Sequence, residues 1–168
     1  MPTRHVYSLD LSILDRLCVP VANADLSLAI AHHIDVRVLA ELMLDAYRGT
    51  IDDDGETLDD ALIEVQTYLS GERGVVPLLD DSYMAFMERA MVGVCLVGEW
   101  SAKQRPLITY IMTGSDCKGL GIGQHLLWAT LCRLAEHGYF EVLAVITEGN
   151  TSSERLFSRM GFVRARDV

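Results

Sequence analysis

One stretch limits what this chain can become. An apolar segment, Leu107 to Thr113, runs into Cys117-Lys118-Gly119-Leu120-Gly121-Ile122-Gly123 and then into a helical run from Gln124 to His137. The order is strand, glycine-rich turn, helix. Glycines at 119, 121 and 123 let the backbone come close to a ligand. The helix that follows aims unpaired N–H groups and the positive end of its dipole at the same place. The pattern predicts an anion cradle and leaves open which anion it holds.

At 168 residues the chain is long enough for one domain, 1–168, with a core that needs no staples. Apolar runs are broken by glycine or charge well before membrane-spanning length, so no membrane partner is expected. Met1-Pro2-Thr3-Arg4-His5 leads into an alternating stretch rather than a secretory signal, and the expected location is cytoplasmic. Cys18, Cys95, Cys117 and Cys132 have neither CxxC nor zinc-finger spacing; they read as reduced thiols with no metal. A net charge of −10 argues against a nucleic-acid surface and permits a cationic partner.

The order of elements surrounds the loop. An N-terminal extension, 1–25, carries an extra strand in the alternating His5 to Ile13. A second strand is predicted at Leu26 to Ala31. Helical spacing of Leu39, Leu42, Met43 and Ala46 predicts a helix from Asp35 to Arg48. Thr57 with Asp60 resembles a capping box opening a second helix, whose buried stripe is Leu58, Ala61, Leu62, Val65 and Leu69 and whose end is Gly71. Glu72 to Asp81 reads as a loop. Ser82 to Met87, Met91 to Trp100 and Leu107 to Thr113 form an antiparallel meander, with a tight turn near Glu88 and Arg89. The apolar run Phe140 to Thr147 predicts a strand covered on both faces, parallel to the one before the loop. A capping box in Thr151 and Glu154 opens a short last helix, and Phe162 to Val168 reads as a final strand. The fold class is α/β: a mixed central sheet with flanking helices, the meander followed by a strand-helix-strand unit.

Two phosphate loops fail on the residues. A P-loop needs Ser or Thr after its Gly-Lys, and here Gly123 is followed by Gln124 and His125. The dinucleotide fingerprint, counted from Gly119, finds Gln124 where its third glycine belongs, and its loop belongs early in a doubly wound sheet. Lys118-Gly119-Leu120-Gly121-Ile122-Gly123 instead resembles the acyl-coenzyme A loop of the GCN5-related N-acetyltransferase (GNAT) family, with lysine in the place of arginine or glutamine. Asn150, Ser153, Leu156, Phe157 and Met160-Gly161-Phe162 are similar to that family's second signature. The resemblance covers Leu107 to Phe162, an acyl-CoA-binding core at 107–162.

The resemblance implies acetyl-CoA, or another acyl-CoA, as cofactor, and transfer of its acyl group to an amine by direct attack in a ternary complex. It implies that Lys118, Gly119, Leu120, Gly121, Ile122 and Gly123 hold the pyrophosphate. The edge of Ile111, Met112 and Thr113 would then pair with pantetheine, and Asn150, Ser153 and Phe157 would contact the cofactor. The family's usual acid is a tyrosine where this chain has Phe157, and a phenyl ring donates no proton. Tyr110, Tyr139, Ser153 and Cys117 are the hydroxyls and thiol nearby in sequence. The strand Leu107 to Thr113 carries no carboxylate, which leaves Glu99 and Tyr110 as catalytic candidates. The turn between the first two helices, with Tyr47, Asp52, Asp53, Asp54 and Glu56, is the candidate acceptor site for a small-molecule or peptide amine. The departures also allow an alternative, a non-catalytic acyl-CoA-binding regulatory or partner subunit. The family usually ends in a hairpin, so the short C-terminus predicts a final strand without an in-chain partner, and hence a possible homodimer.

Overall fold

The computed structural model describes residues 2–166. Strand β1 spans Arg4–Asp10. It stops short of the predicted Ile13 because the Asp10 carboxylate accepts the Ser12 N–H at 2.9 Å and opens a 3-10 turn, Leu11–Arg16. Strand β2 is Ser27–Ile30, and helices α1 and α2 are Val36–Tyr47 and Leu58–Ser70. The predicted capping box is present: Thr57 Oγ1 accepts from the Asp60 N–H, and the Asp60 carboxylate accepts from the Thr57 N–H at 2.8 Å. The α2 helix stops where Gly71 takes the left-handed conformation, φ 74°.

The predicted loop Glu72 to Asp81 holds a short strand, β3, Val75–Pro77. It pairs with the end of β5, Ala90–Trp100, and the pairing needs Gly98: a Cβ there would lie 2.3 Å from Val75 Cγ1. Strand β4 is Tyr83–Met87, joined to β5 through Glu88 and Arg89, both at positive φ. Strand β6, Arg105–Thr113, completes the meander. Helix α3 is Ile122–Glu136, β7 is Glu141–Thr147, α4 is Thr151–Arg159 and β8 is Val163–Arg164. The α4 cap is Asn150 rather than Thr151, because the Asn150 carboxamide oxygen accepts the Ser153 N–H at 3.1 Å. Glu154 instead accepts from the Gly149 N–H.

The strands form one mixed sheet in the order β2-β4-β5-β6-β7-β1-β8, with β3 on the edge of β5. The β6–β7 pair is parallel and the others are antiparallel. Alternation along β5 divides the core into two layers. Val94 and Leu96 face Leu39, Met43, Ala61 and Val65 of α1 and α2. Cys95 and Val97 face Leu126, Leu127, Leu131 and Leu134 of α3. These four leucines are fully buried, each worth about 1.5–3 kcal/mol of apolar transfer.

Two expectations about the sheet change. The last strand among the described residues has an in-chain partner: Ser8 and Tyr7 of β1 pair with Val163 and Arg164. The argument for a homodimer from an unpaired last strand therefore falls; Asp167 and Val168 lie outside the described residues. Strand β7 begins after Phe140, which is exposed, and it is not covered on both faces, since Val145 opens into a cavity. No helix among the described residues is long and apolar enough to cross a membrane.

Candidate active site

Strands β6 and β7 pair only at Leu107 with Leu143 and Ile108 with Ala144. Beyond that point they part. The parting starts at a bulge, where Leu96 faces Tyr110 but Val97 faces Ile108, so that Thr109 is the extra residue on β6. The β6 backbone from Tyr110 onward has no partner on the β7 side, an edge that an extended ligand can complete.

Past that edge the chain makes a 3-10 turn, Ser115–Cys117, and reaches Gly121, which caps α3 at φ 78°. Gly121 has no side chain to satisfy the first turn of α3, so the N–H groups of Ile122, Gly123 and Gln124 are left for something else. They open on a cleft of about 560 Å³ lined by Ile111, Met112, Thr113, Lys118, Gly119, Gly121, Ile122 and Gly123, with Asn150 and Ser153 opposite. Nearly all the residues expected to hold the cofactor are thus brought together. Leu120 and Phe157 are not on this lining. The Leu120 side chain is exposed, and Phe157 is 3 % exposed and packs edge-on against Phe162 with centroids 4.9 Å apart. Phe157 is a core residue because α4 turns that face onto α3 and the sheet.

Lys118, on the cleft lining, has its charge tied to α1. Its Nζ donates to the Ala46 carbonyl at 2.8 Å, where the C-terminal end of α1 favours a cation. Asp45, on the same turn of α1, accepts from the Ser115 N–H and hydroxyl, both at 2.7 Å. These bonds hold the glycine loop against α1.

A second cavity, about 670 Å³, lies on the other side of Tyr47 between α1, α2, β6 and β7. Its lining includes the predicted acceptor residues Tyr47, Asp52, Asp53, Asp54 and Glu56, and also Tyr110. The acidic turn is largely self-satisfied. Asp53 accepts from the Gly49 and Gly55 N–H groups, which hold its carboxyl below the ordinary value. Asp52 accepts from Thr147 Oγ1 and Asn150 Nδ2, each at 2.7 Å, pinning the turn to the end of β7. Asn150 is therefore a structural latch, its amide serving Asp52 and its oxygen capping α4.

Glu99 is not brought to either cavity. It pairs with Val76 and Pro106 at the far end of the sheet and acts electrostatically on Tyr139 on the α3 side. The carboxylate that meets Tyr110 is Glu64 of α2, which sequence reasoning missed. Its one signal was position: it lies three residues after Ala61, among the apolar stripe of α2. The Tyr110 hydroxyl donates to Glu64 Oε1, and Arg73 donates to Glu64 Oε2 at 2.6 Å. Burial, then the bond to Glu64, raises the Tyr110 phenol above its ordinary value. Arg4, Arg48 and Arg73 also line this cavity, so it offers both signs of charge.

Residues 40–162 match the acetyltransferase (GNAT) family. No curated protein matches the chain. A GCN5-related N-acetyltransferase from Sphaerobacter thermophilus shares the fold with a TM-score of 0.70 at 20 % identity, covering 98 % of this chain and 50 % of that one. The chain thus spans about half the length of that protein. PH1933 from Pyrococcus horikoshii OT3 is similar at a TM-score of 0.68 and 18 % identity, over 85 % of this chain and 92 % of its own. The ribosomal-protein-S18-alanine N-acetyltransferase from Escherichia coli aligns with a TM-score of 0.62 at 13 % identity, over 83 % and 79 % of the two chains. At these identities the neighbours speak for the fold, and the match over 40–162, with the parted strands and the uncapped glycine loop, speaks for the family. The chain belongs to the GNAT acetyltransferase family.

Proposed function

We propose that this protein moves an acetyl group from acetyl-CoA to a primary amine, the amine attacking the thioester directly while both are bound. The observation that carries the reading is the arrangement of two cavities on either side of Tyr47. The cofactor cleft offers uncapped helix N–H groups for a pyrophosphate and an unpaired strand edge for pantetheine. The other cavity offers carboxylates that suit an ammonium group.

An ammonium ion must lose a proton before it can attack. Tyr110 and Glu64 provide a route: the amine gives its proton to the Tyr110 oxygen as Tyr110 passes its own to Glu64. Arg73, fixed on the second Glu64 oxygen, keeps that carboxylate oriented. The N–C bond then forms, the nitrogen gives its second proton to solvent, the C–S bond breaks, and the electron pair leaves on sulfur. Holding both reactants in place is the main contribution asked of the cavities.

The test is release of free coenzyme A over a panel of amines: peptide N-termini, lysine, polyamines and amino acids. Turnover with at least one amine, abolished in Glu64→Gln, is expected. Tight acetyl-CoA binding without turnover on any amine would instead favour a non-catalytic acyl-CoA-binding subunit, the reading that Phe157 in the core leaves standing.

A further inference from the structure

Resting on that reading of the two cavities, we infer that the hydroxyl of Tyr47 donates a hydrogen bond to the sulfur of departing coenzyme A. Tyr47 ends α1 and, among the described residues, is the one that lines both cavities. A thioester held in the cofactor cleft and attacked from the other cavity has its reacting atoms where the two meet, beside this ring.

The remaining phenols near the site are committed. Tyr110 donates to Glu64, and Tyr68 donates to the Val97 carbonyl at 2.6 Å. Tyr139 lies on the α3 side near Asp81 and Glu99. Phe157 carries no hydroxyl and is buried in the core. The Tyr47 hydroxyl makes no hydrogen bond among the described residues, while its backbone is fixed: the carbonyl accepts from Thr50 Oγ1 at 2.8 Å and from the Thr50 N–H at 3.0 Å. A ring anchored by its backbone, with a free donor at its tip, is preorganised for charge that appears only during reaction.

The charged and titratable groups facing that hydroxyl are Asp52, Glu64, Glu56, Arg4 and Tyr110. Burial first, then the carboxylates Asp52 and Glu64, raises the phenol above its ordinary value, so it stays protonated across any assay range. A phenol held that high does not surrender its proton to a thiolate, whose conjugate acid is far stronger. Its part is a hydrogen bond to the leaving sulfur. In the full balance, the first ammonium proton goes through Tyr110 to Glu64, the N–C bond forms, the nitrogen gives its second proton to solvent, the C–S bond breaks, and sulfur leaves as a thiolate that solvent protonates on release.

Tyr47→Phe keeps the ring and removes only the donor. The expected result is a fall in kcat of about 100-fold with acetyl-CoA affinity by calorimetry unchanged. An unchanged kcat, or a loss of affinity that accounts for the whole effect, overturns the inference. A second arm needs no turnover: the thiol of bound coenzyme A is titrated by its thiolate absorbance in both proteins. A donor on sulfur favours the thiolate, so the bound thiol should ionise about 10-fold more readily in the wild type than in Tyr47→Phe. Equal ionisation overturns the inference even if amines are acetylated. If no amine is turned over but ionisation differs as expected, the transfer reading fails and the contact to sulfur stands.

Discussion

Gly121 does two things that no other residue type does together. It adopts φ 78° without the penalty of about 1–2 kcal/mol that a Cβ brings in the left-handed region, and it caps α3 without filling the space in front of its N–H groups. A Cβ at this position would be 3.9 Å from the nearest heavy atom, His125 Nδ1, so Gly121→Glu meets strain rather than a clash. Its carboxylate would lie against the uncapped turn, in the place proposed for pyrophosphate, and bring like charge there. Isothermal calorimetry should find coenzyme A affinity reduced roughly 10-fold or more while the circular dichroism spectrum is retained. Unchanged affinity would show that the phosphates bind elsewhere. Tyr47 illustrates the complement: its proposed value lies in a free hydroxyl on a residue that lines two cavities, a property invisible in the residue alone.

At the scale of elements, the site depends on how closely α3 approaches β5 and β6. Gly93 of β5 is where they touch: an added Cβ would be 2.9 Å from the Met112 carbonyl oxygen, 3.0 Å from Leu126 Cδ1 and 3.1 Å from Ile122 Cγ2. Two of those neighbours belong to α3, and Ile122 begins the turn that faces the cofactor cleft. Gly93→Ala must push α3 off the sheet or distort β5. It should destabilise the protein by about 1–3 kcal/mol in urea unfolding, with weakened coenzyme A binding in the folded fraction. A variant of wild-type stability would mean that α3 adjusts freely. The end of α1 and the turn after it work in the opposite sense, since Asp45 and Asp52 tie elements together. Asp45 holds Ser115, Asp52 holds Thr147 and Asn150, and Lys118 returns to Ala46. Through these bonds the two cavities, proposed for acceptor and cofactor, share one frame.

Across the whole molecule, the first strand closes the sheet. Strand β1 pairs along its full length with β7 and gives β8 its partner, and its own Leu9 is 1 % exposed. Deleting residues 2–10 strips one edge from β7, leaves β8 alone and uncovers the α3 layer of the core. The shortened chain should lose its cooperative thermal transition, followed by circular dichroism; melting like the full chain would contradict the placement of β1. The same strand brings Arg4 to the cavity proposed for the acceptor, so the N-terminal extension lines that cavity as well as closing the sheet. What the amino-acid sequence determined by itself is whatever is local in cause. The period-two and helical patterns placed α1, α2, the meander and the strand-helix-strand unit. Gly119, Gly121 and Gly123 marked the loop because left-handed turns and close approach favour glycine along a few consecutive residues. The acidic turn was visible as charge, but its role was not, because Asp52 finds its partners 95 and 98 residues away. Only the tertiary structure decided that Glu64 rather than Glu99 meets Tyr110, that Phe157 turns into the core, and that Tyr47 stands between the cavities. Those outcomes depend on contacts between elements distant in sequence, on which periodicity and spacing are silent.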